Sequence, residues 1–486
     1  MVVGMSRAWV VLLCVLAAPA YSSAQTNDNK SLAPYIAVDA PVFALEHVEL
    51  VDGTGRAAVS DQTIVVEHGR IAAVGPSATT AVPAGARVLE LAGHTVYPGL
   101  VGMHEHLFYS EPTSSALRGL VGGELVDTAP RLYLAAGVTT ARTTGSIAPY
   151  TDLNIKKDID AGRVPGPELD VTGPYLEGNP PLIPQMHVLT GPDDARKMVD
   201  YWVNEGATSW KAYMHITPEE LKAAIDEAHA KGEKLTGHLC SVGFTAAAEM
   251  GIDDLEHGIA VDSEFTPGRK EGECPDNAER YLAEHVAMDS APVRAMIRTL
   301  VQRHVALTST LAVLESLEPG HPPMAMLLRE HDAMAVEAWS GVLTTRALIQ
   351  ERAAKSYWPA LFKKEIQFER EFAAAGGLLL TGCDPTAYGA VLPGFGDERN
   401  LELLVQAGFT PEEAIAIATR NGAEYLGRAD RVGTIAAGKQ ADLVVVKGDV
   451  AKDITAVERV ETVFKNGVGF DSAKLMESVR GMVGLR

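Results

Sequence analysis

Cysteine is scarce in this chain, with four in 486 residues. They form no closely spaced framework of the kind that staples small secreted folds, so stability has to come mainly from a hydrophobic core. Positive charge is also in short supply. Against 63 Asp and Glu there are 42 Lys and Arg, a formal net charge of −21. Such a surface repels phosphate backbones and anionic lipid, which argues against nucleic acid or a membrane surface as partner. The apolar run from Ala8 to Ala18 is too short to span a bilayer. No GxGxxG follows the first strand of the central region, which counts against a dinucleotide-binding open sheet.

What is present begins with a targeting segment. Arg7 precedes the apolar run and the small residues Ser22 and Ala24 follow it, the pattern of a signal peptide over residues 1–24, cut before Gln25. No cysteine sits at the cut, so no lipid anchor is indicated and a periplasmic or secreted protein is expected. Cys14 leaves with that segment. Cys240, Cys274 and Cys383 remain, enough for one disulfide in an oxidising compartment.

Residues 25–42 read as a polar leader. From residue 43 to 92 short alternating runs such as FALEHVELVDG and QTIVVEHGRIAAVG are bounded by Gly, Pro and Asp, the texture of β-strands. The same texture returns over 428–475 in GTIAAGKQADLVVV and RVETVFKNGVG, so both ends are expected to build one discontinuous β-sandwich. Between them, residues 93–427 alternate apolar strand-like runs with helical stretches, which predicts a parallel α/β architecture. Eight strands are read, at HTVYPGLVGMHEH, GVTTARTT, ELDVTGPYL, ATSWKAYM, KLTGHL, DDLEHG, VALTSTL and LLLTGCD. That order favours a (β/α)8 barrel of the TIM type over an open doubly wound sheet. The polar stretch 261–291 is longer than a barrel loop needs and reads as an insertion near the rim.

Polar residues recur at the C-terminal ends of these strands, where barrel enzymes carry their chemistry. Strand 1 ends in His104-Glu105-His106, and strand alternation puts both imidazoles on one face, with Glu105 turned away into a structural role. Lys211 ends strand 4, His238 strand 5, His257 strand 6 and Asp384 strand 8. Singly, each has an ordinary reading: a lysine snorkelling to the surface, a satisfied core histidine, an aspartate capping the turn before Pro385. Together, the order His-x-His, Lys, His, His, Asp resembles the amidohydrolase superfamily in its two-metal form, nearest to imidazolonepropionase-like and prolidase-like members. YPGLVGMHEH is similar to the family's first-strand signature, with Gly102 where an Asp is common, and GTIAAGKQADLVVV to its closing strand pair.

The resemblance implies two divalent ions, with zinc suited to the histidine and carboxylate donors. His104, His106 and Asp384 would hold the first ion and His238 and His257 the second. Lys211, carboxylated by CO2, would bridge them. It further implies a hydroxide shared by the ions that attacks a carbonyl, Asp384 as the general base, and His257 as a second catalytic residue. Tyr213, His215 and Arg142 are weaker candidates for substrate contact, although Arg142 reads slightly better as the partner of an internal acid. Tyr175 and His187 fall in a Pro-rich loop that could cover the pocket, and Cys240 and Cys383 read as small packing residues. The expected reaction is hydrolysis of an amide or peptide-like C–N bond in a small molecule such as a dipeptide or N-acyl amino acid. The alternatives are an ester, lactone or cyclic amide at the same site, or a non-catalytic binding protein. Association with further copies of the chain is left open.

Overall fold

The alternating runs at the two ends of the chain meet in one nine-stranded sheet in the computed structural model, which describes residues 31–111 and 120–484. Val42–Leu50 pairs antiparallel with Val59–Glu67, which pairs with Arg70–Pro76. The turn between those last two is only His68-Gly69, both left-handed, the geometry a tight hairpin needs and glycine supplies most easily. Leu443–Lys447, from the far end of the chain, slots between His94–Pro98 and Val460–Lys465 and is antiparallel to both. Phe43, Leu45, Ile64, Val96, Leu443 and Phe464 form the buried side, and the Phe43 and Phe464 rings stack 4.8 Å apart.

Hydrogen bonding links all nine strands in one sheet, and the stacked Phe43 and Phe464 rings come from strands that are not neighbours within it. One sequence expectation changes here. The leader assigned to 25–42 is not loose along its whole length: Ile36–Val38 pairs with Val468–Asp471 and covers that strand's open edge. The signal-peptide assignment, and the leader as far as residue 30, lie outside the described residues.

The central region contributes eight parallel strands, each inside a run read from sequence. Leu100–Glu105, Val138–Thr143 and Glu168–Asp170 form one sheet. Ser209–Ala212, Lys234–Gly237, Asp254–Glu256, Ala306–Ser309 and Leu379–Thr381 form a second, in that order. Bridges Thr172–Ser209 and Leu176–Ala212 carry the third strand on to the fourth, and the Asp384 N–H donates to the His104 carbonyl (2.9 Å) beyond the eighth. Apart from the exposed start of the fifth and the partly exposed start of the third, these strands are buried along their length, as parallel strands covered on both faces must be. The run 94–106, read as one strand, is two. Gly99 breaks it by donating to the Asp442 carbonyl, so its first half joins the nine-stranded sheet and its second the parallel one. The helix Pro218–Ala230 opens on a capping box of Thr217 and Glu220.

The 261–291 stretch folds as loops with one short helix, Ala278–His285, and a disulfide fastens it down. Cys240 bonds Cys274, so Cys240 is a cross-link and not the packing residue expected of it. Sequence spacing could not show this, because 34 residues separate the two. Closing a loop of that length removes entropy from the unfolded chain, and Cys274→Ser is expected to cost about 2–4 kcal/mol. Urea unfolding with and without reductant checks it. Reductant should bring the parent protein down to the variant's midpoint and leave the variant where it is.

Candidate metal centre

Five strand ends converge on one small volume. His104 and His106 flank the end of the first strand, and their Nε2 atoms lie 3.7 and 3.3 Å from Asp384 Oδ1 at the end of the eighth. Lys211 Nζ is 2.9 Å from His104 Nε2. The His257 ring lies 4.6 Å from that of His104 and 4.4 Å from that of His238, centroid to centroid. His104, His106, Lys211, His257 and Asp384 are buried, while His238 is partly open to the cavity. His257 and Asp384 both take left-handed backbone angles, φ 66° and 47°. Outside glycine such angles are strained and collect at functional sites, here turning each side chain inward as its strand ends.

The electrostatics suit cations. Burial, then the Lys211 charge, lowers His238 to about 3, and burial holds His104, His106 and His257 below the usual imidazole range. All four are therefore neutral near pH 7, with lone pairs to give. Burial lowers the Lys211 ammonium to about 8, so an appreciable share is free amine. Burial alone would raise the Asp384 carboxyl, but His104 and His106 outweigh it and keep it ionised, below the ordinary carboxylate range. Neutral imidazoles and a carboxylate are a donor set for a borderline divalent ion. The donor atoms of His104, His106 and Asp384 all lie within 4.8 Å of one another, so the residues fit such an ion.

A second layer, missed from sequence, orients these groups. Glu256 Oε2 accepts from His104 Nδ1 at 2.6 Å, fixing the tautomer so that Nε2 faces the site. His257 Nδ1 is 2.8 Å from the Thr310 hydroxyl. The usable signal was the Asp254-Leu255-Glu256 strand, since two acids of like parity on a buried strand need an internal partner. That partner is Arg142. Its Nη2 is 2.7 Å from Asp254 and 2.8 Å from Glu256, its Nε donates to the Met103 carbonyl, and it is 1% exposed. Arg142 is thus withdrawn as a substrate-binding residue, and the internal pairing is what occurs.

The cavity at this centre measures about 320 Å³ and is lined by His106, Lys211, Tyr213, His238, His257 and Asp384 among others. Tyr213 packs against His238, and Tyr175 packs against Tyr213, both at 4.9 Å between centroids. His215 falls outside that cavity and lines an adjoining basin, 3.6 Å from Glu177. His187 is exposed and bonded to Asp194, away from the centre. Glu105 faces away from the centre, as expected, with Cys383 beside it.

A model of the amidohydrolase family matches residues 95–469. The chain belongs to the amidohydrolase family. It is a hydrolase acting on carbon–nitrogen bonds, and a non-catalytic role is set aside. Over 420 residues this amidohydrolase is 22% identical to an imidazolonepropionase of Stenotrophomonas maltophilia, a match spanning 84% of this chain and 91% of that one. A D-hydantoinase of Streptomyces coelicolor is 24% identical over 418 residues, 81% of this chain and 83% of its own. Among solved structures, one of a putative prolidase from Bifidobacterium longum superposes with a TM-score of 0.65 at 26% identity, covering 90% of this chain and 98% of that one. These neighbours imply a TIM-barrel-type α/β fold.

Proposed function

We propose that this amidohydrolase cleaves an amide or peptide-like C–N bond of a small molecule, a dipeptide or N-acyl amino acid, at a two-metal centre. The observation that carries this reading is the convergence of His104, His106, Lys211, His257 and Asp384, with His238 alongside. His104, His106 and Asp384 would hold one ion and His238 and His257 the other, zinc being the natural choice for these donors. Lys211, carboxylated at its amine by CO2 with loss of one proton, would help to hold both ions. Bound there, the ions supply Lewis acidity and make water acidic enough to act near neutral pH.

The chain's own groups do the rest. Asp384 takes the proton of the attacking water and returns it to the leaving nitrogen. Glu256 and Thr310 hold His104 and His257 in place. Tyr213, whose hydroxyl burial keeps protonated, donates to the substrate carbonyl or its neighbour. The same reading closes the eight parallel strands into a barrel spanning 93–427, with 43–92 and 428–475 as its β-domain. Export to the periplasm or medium after cleavage near Ala24 fits the Cys240–Cys274 disulfide, a bond favoured in oxidising compartments.

The test is elemental analysis of the mature protein, reconstituted with zinc and bicarbonate. Close to two ions per chain is expected, falling to about one in Lys211→Ala. No metal after reconstitution would overturn the centre, and one ion in the parent protein would remove the carbamate bridge.

A further inference from the structure

Part of the cavity wall is apolar. That part is built by Phe108, after the first parallel strand and stacked 4.6 Å from the His106 ring, and Ile183, from the loop after the third. Val313, Leu314 and Leu317, from the helix Leu311–Ser316 and its cap, and Trp358, at the start of Trp358–Ala374, complete it. Leu317 lies three residues from Leu314 and four from Val313, so the helix turns one apolar face to the cavity. Glu279, in the helix Ala278–His285, is an acid lining this cavity, engaged by the Tyr357 hydroxyl at 2.6 Å. Four separate segments therefore bring apolar side chains to the cavity, the lining an apolar ligand group covers favourably. A charged side group placed there would lose its water without gaining a counter-charge from these six side chains.

We propose that this wall is a specificity subsite for a bulky apolar side group, aryl or branched alkyl, next to the scissile amide. Val313, Leu314, Leu317 and Trp358 are its selecting residues. The proposal rests on the amide-hydrolase reading above. It narrows that reading from small amides in general to those with one large hydrophobic flank.

The experiment uses the metal-replete protein and dipeptides and N-acetyl amino acids in which one residue runs through Gly, Asp, Lys, Leu and Phe. The Leu or Phe compounds are expected to exceed their Gly, Asp and Lys counterparts in kcat/KM by at least about thirtyfold, the scale on which apolar pockets discriminate side chains. Trp358→Ala and Leu317→Asn, both at partly exposed positions, should shrink that ratio about tenfold with metal content intact. Calorimetric titration with N-acetyl-L-phenylalaninamide and N-acetylglycinamide reads the subsite independently of turnover, with tighter binding of the first expected. Equal binding of the two probes, or equal rates across the series, overturns the subsite. Failure to hydrolyse any compound overturns the amide-hydrolase reading instead, and the titration still decides the subsite.

Discussion

Asp384→Asn is expected to lower kcat by at least about a hundredfold while metal content falls far less. Asparagine keeps the volume and one oxygen donor but cannot take a proton from water at neutral pH. His104, His106, His238, His257 and Lys211 remain to hold the ions. Asp384 also has a structural duty, since the Thr386 hydroxyl donates to its Oδ1 at 2.8 Å, and asparagine's oxygen can still accept that bond. A loss of turnover in the variant therefore reads the proton transfer and not the turn. His104→Asn should behave differently, losing metal and activity together, because it removes a donor nitrogen and the ring that Glu256 orients. Steady-state kinetics beside elemental analysis separates the two. Near-parental turnover by Asp384→Asn with metal intact would leave the aspartate only its place in the turn.

Arg142→Met should unfold far more easily, by about 3–5 kcal/mol, the range found when one partner of a buried ion pair is removed. The arginine is buried between Asp254 and Glu256, and methionine fills part of its volume but leaves both acids without their cation. Asp254 already sits near pH 7, raised by burial and then by Glu256, with Arg142 restraining it. Without Arg142 at least one of the two acids takes a proton. The chevron or urea midpoint of the metal-free protein is the measurement. An unchanged midpoint with a raised KM would restore Arg142 to the substrate, against its geometry here.

The expected strands were legible because a buried parallel strand leaves a local mark, a short apolar run closed by Gly, Pro or Asp. All eight observed strands fall within the runs read for them. The residues that converge at the centre were legible for a related reason. His104, His106, Lys211, His238, His257 and Asp384 are each too polar for the apolar run they end, and their order along the chain matches that of a known family. Arg142 carries no such mark. From sequence it was a charged residue at a strand end like the others, and only the position of Asp254 and Glu256, 112 and 114 residues on, decides which way it faces.

The sequence by itself determined the parallel α/β order, the β-rich ends, the family and the polar residues that belong at the site, since these follow from local periodicity and residue type. Tertiary structure alone decided that Gly99 divides one apparent strand between two sheets, and that Ile36–Val38 is edge strand and not leader. It alone paired Cys240 with Cys274, gave Glu256 to His104, and brought apolar side chains into the cavity beside the convergent histidines. Each of those depends on which distant segment arrives as the neighbour. Periodicity constrains the face a residue presents, and packing supplies what that face meets.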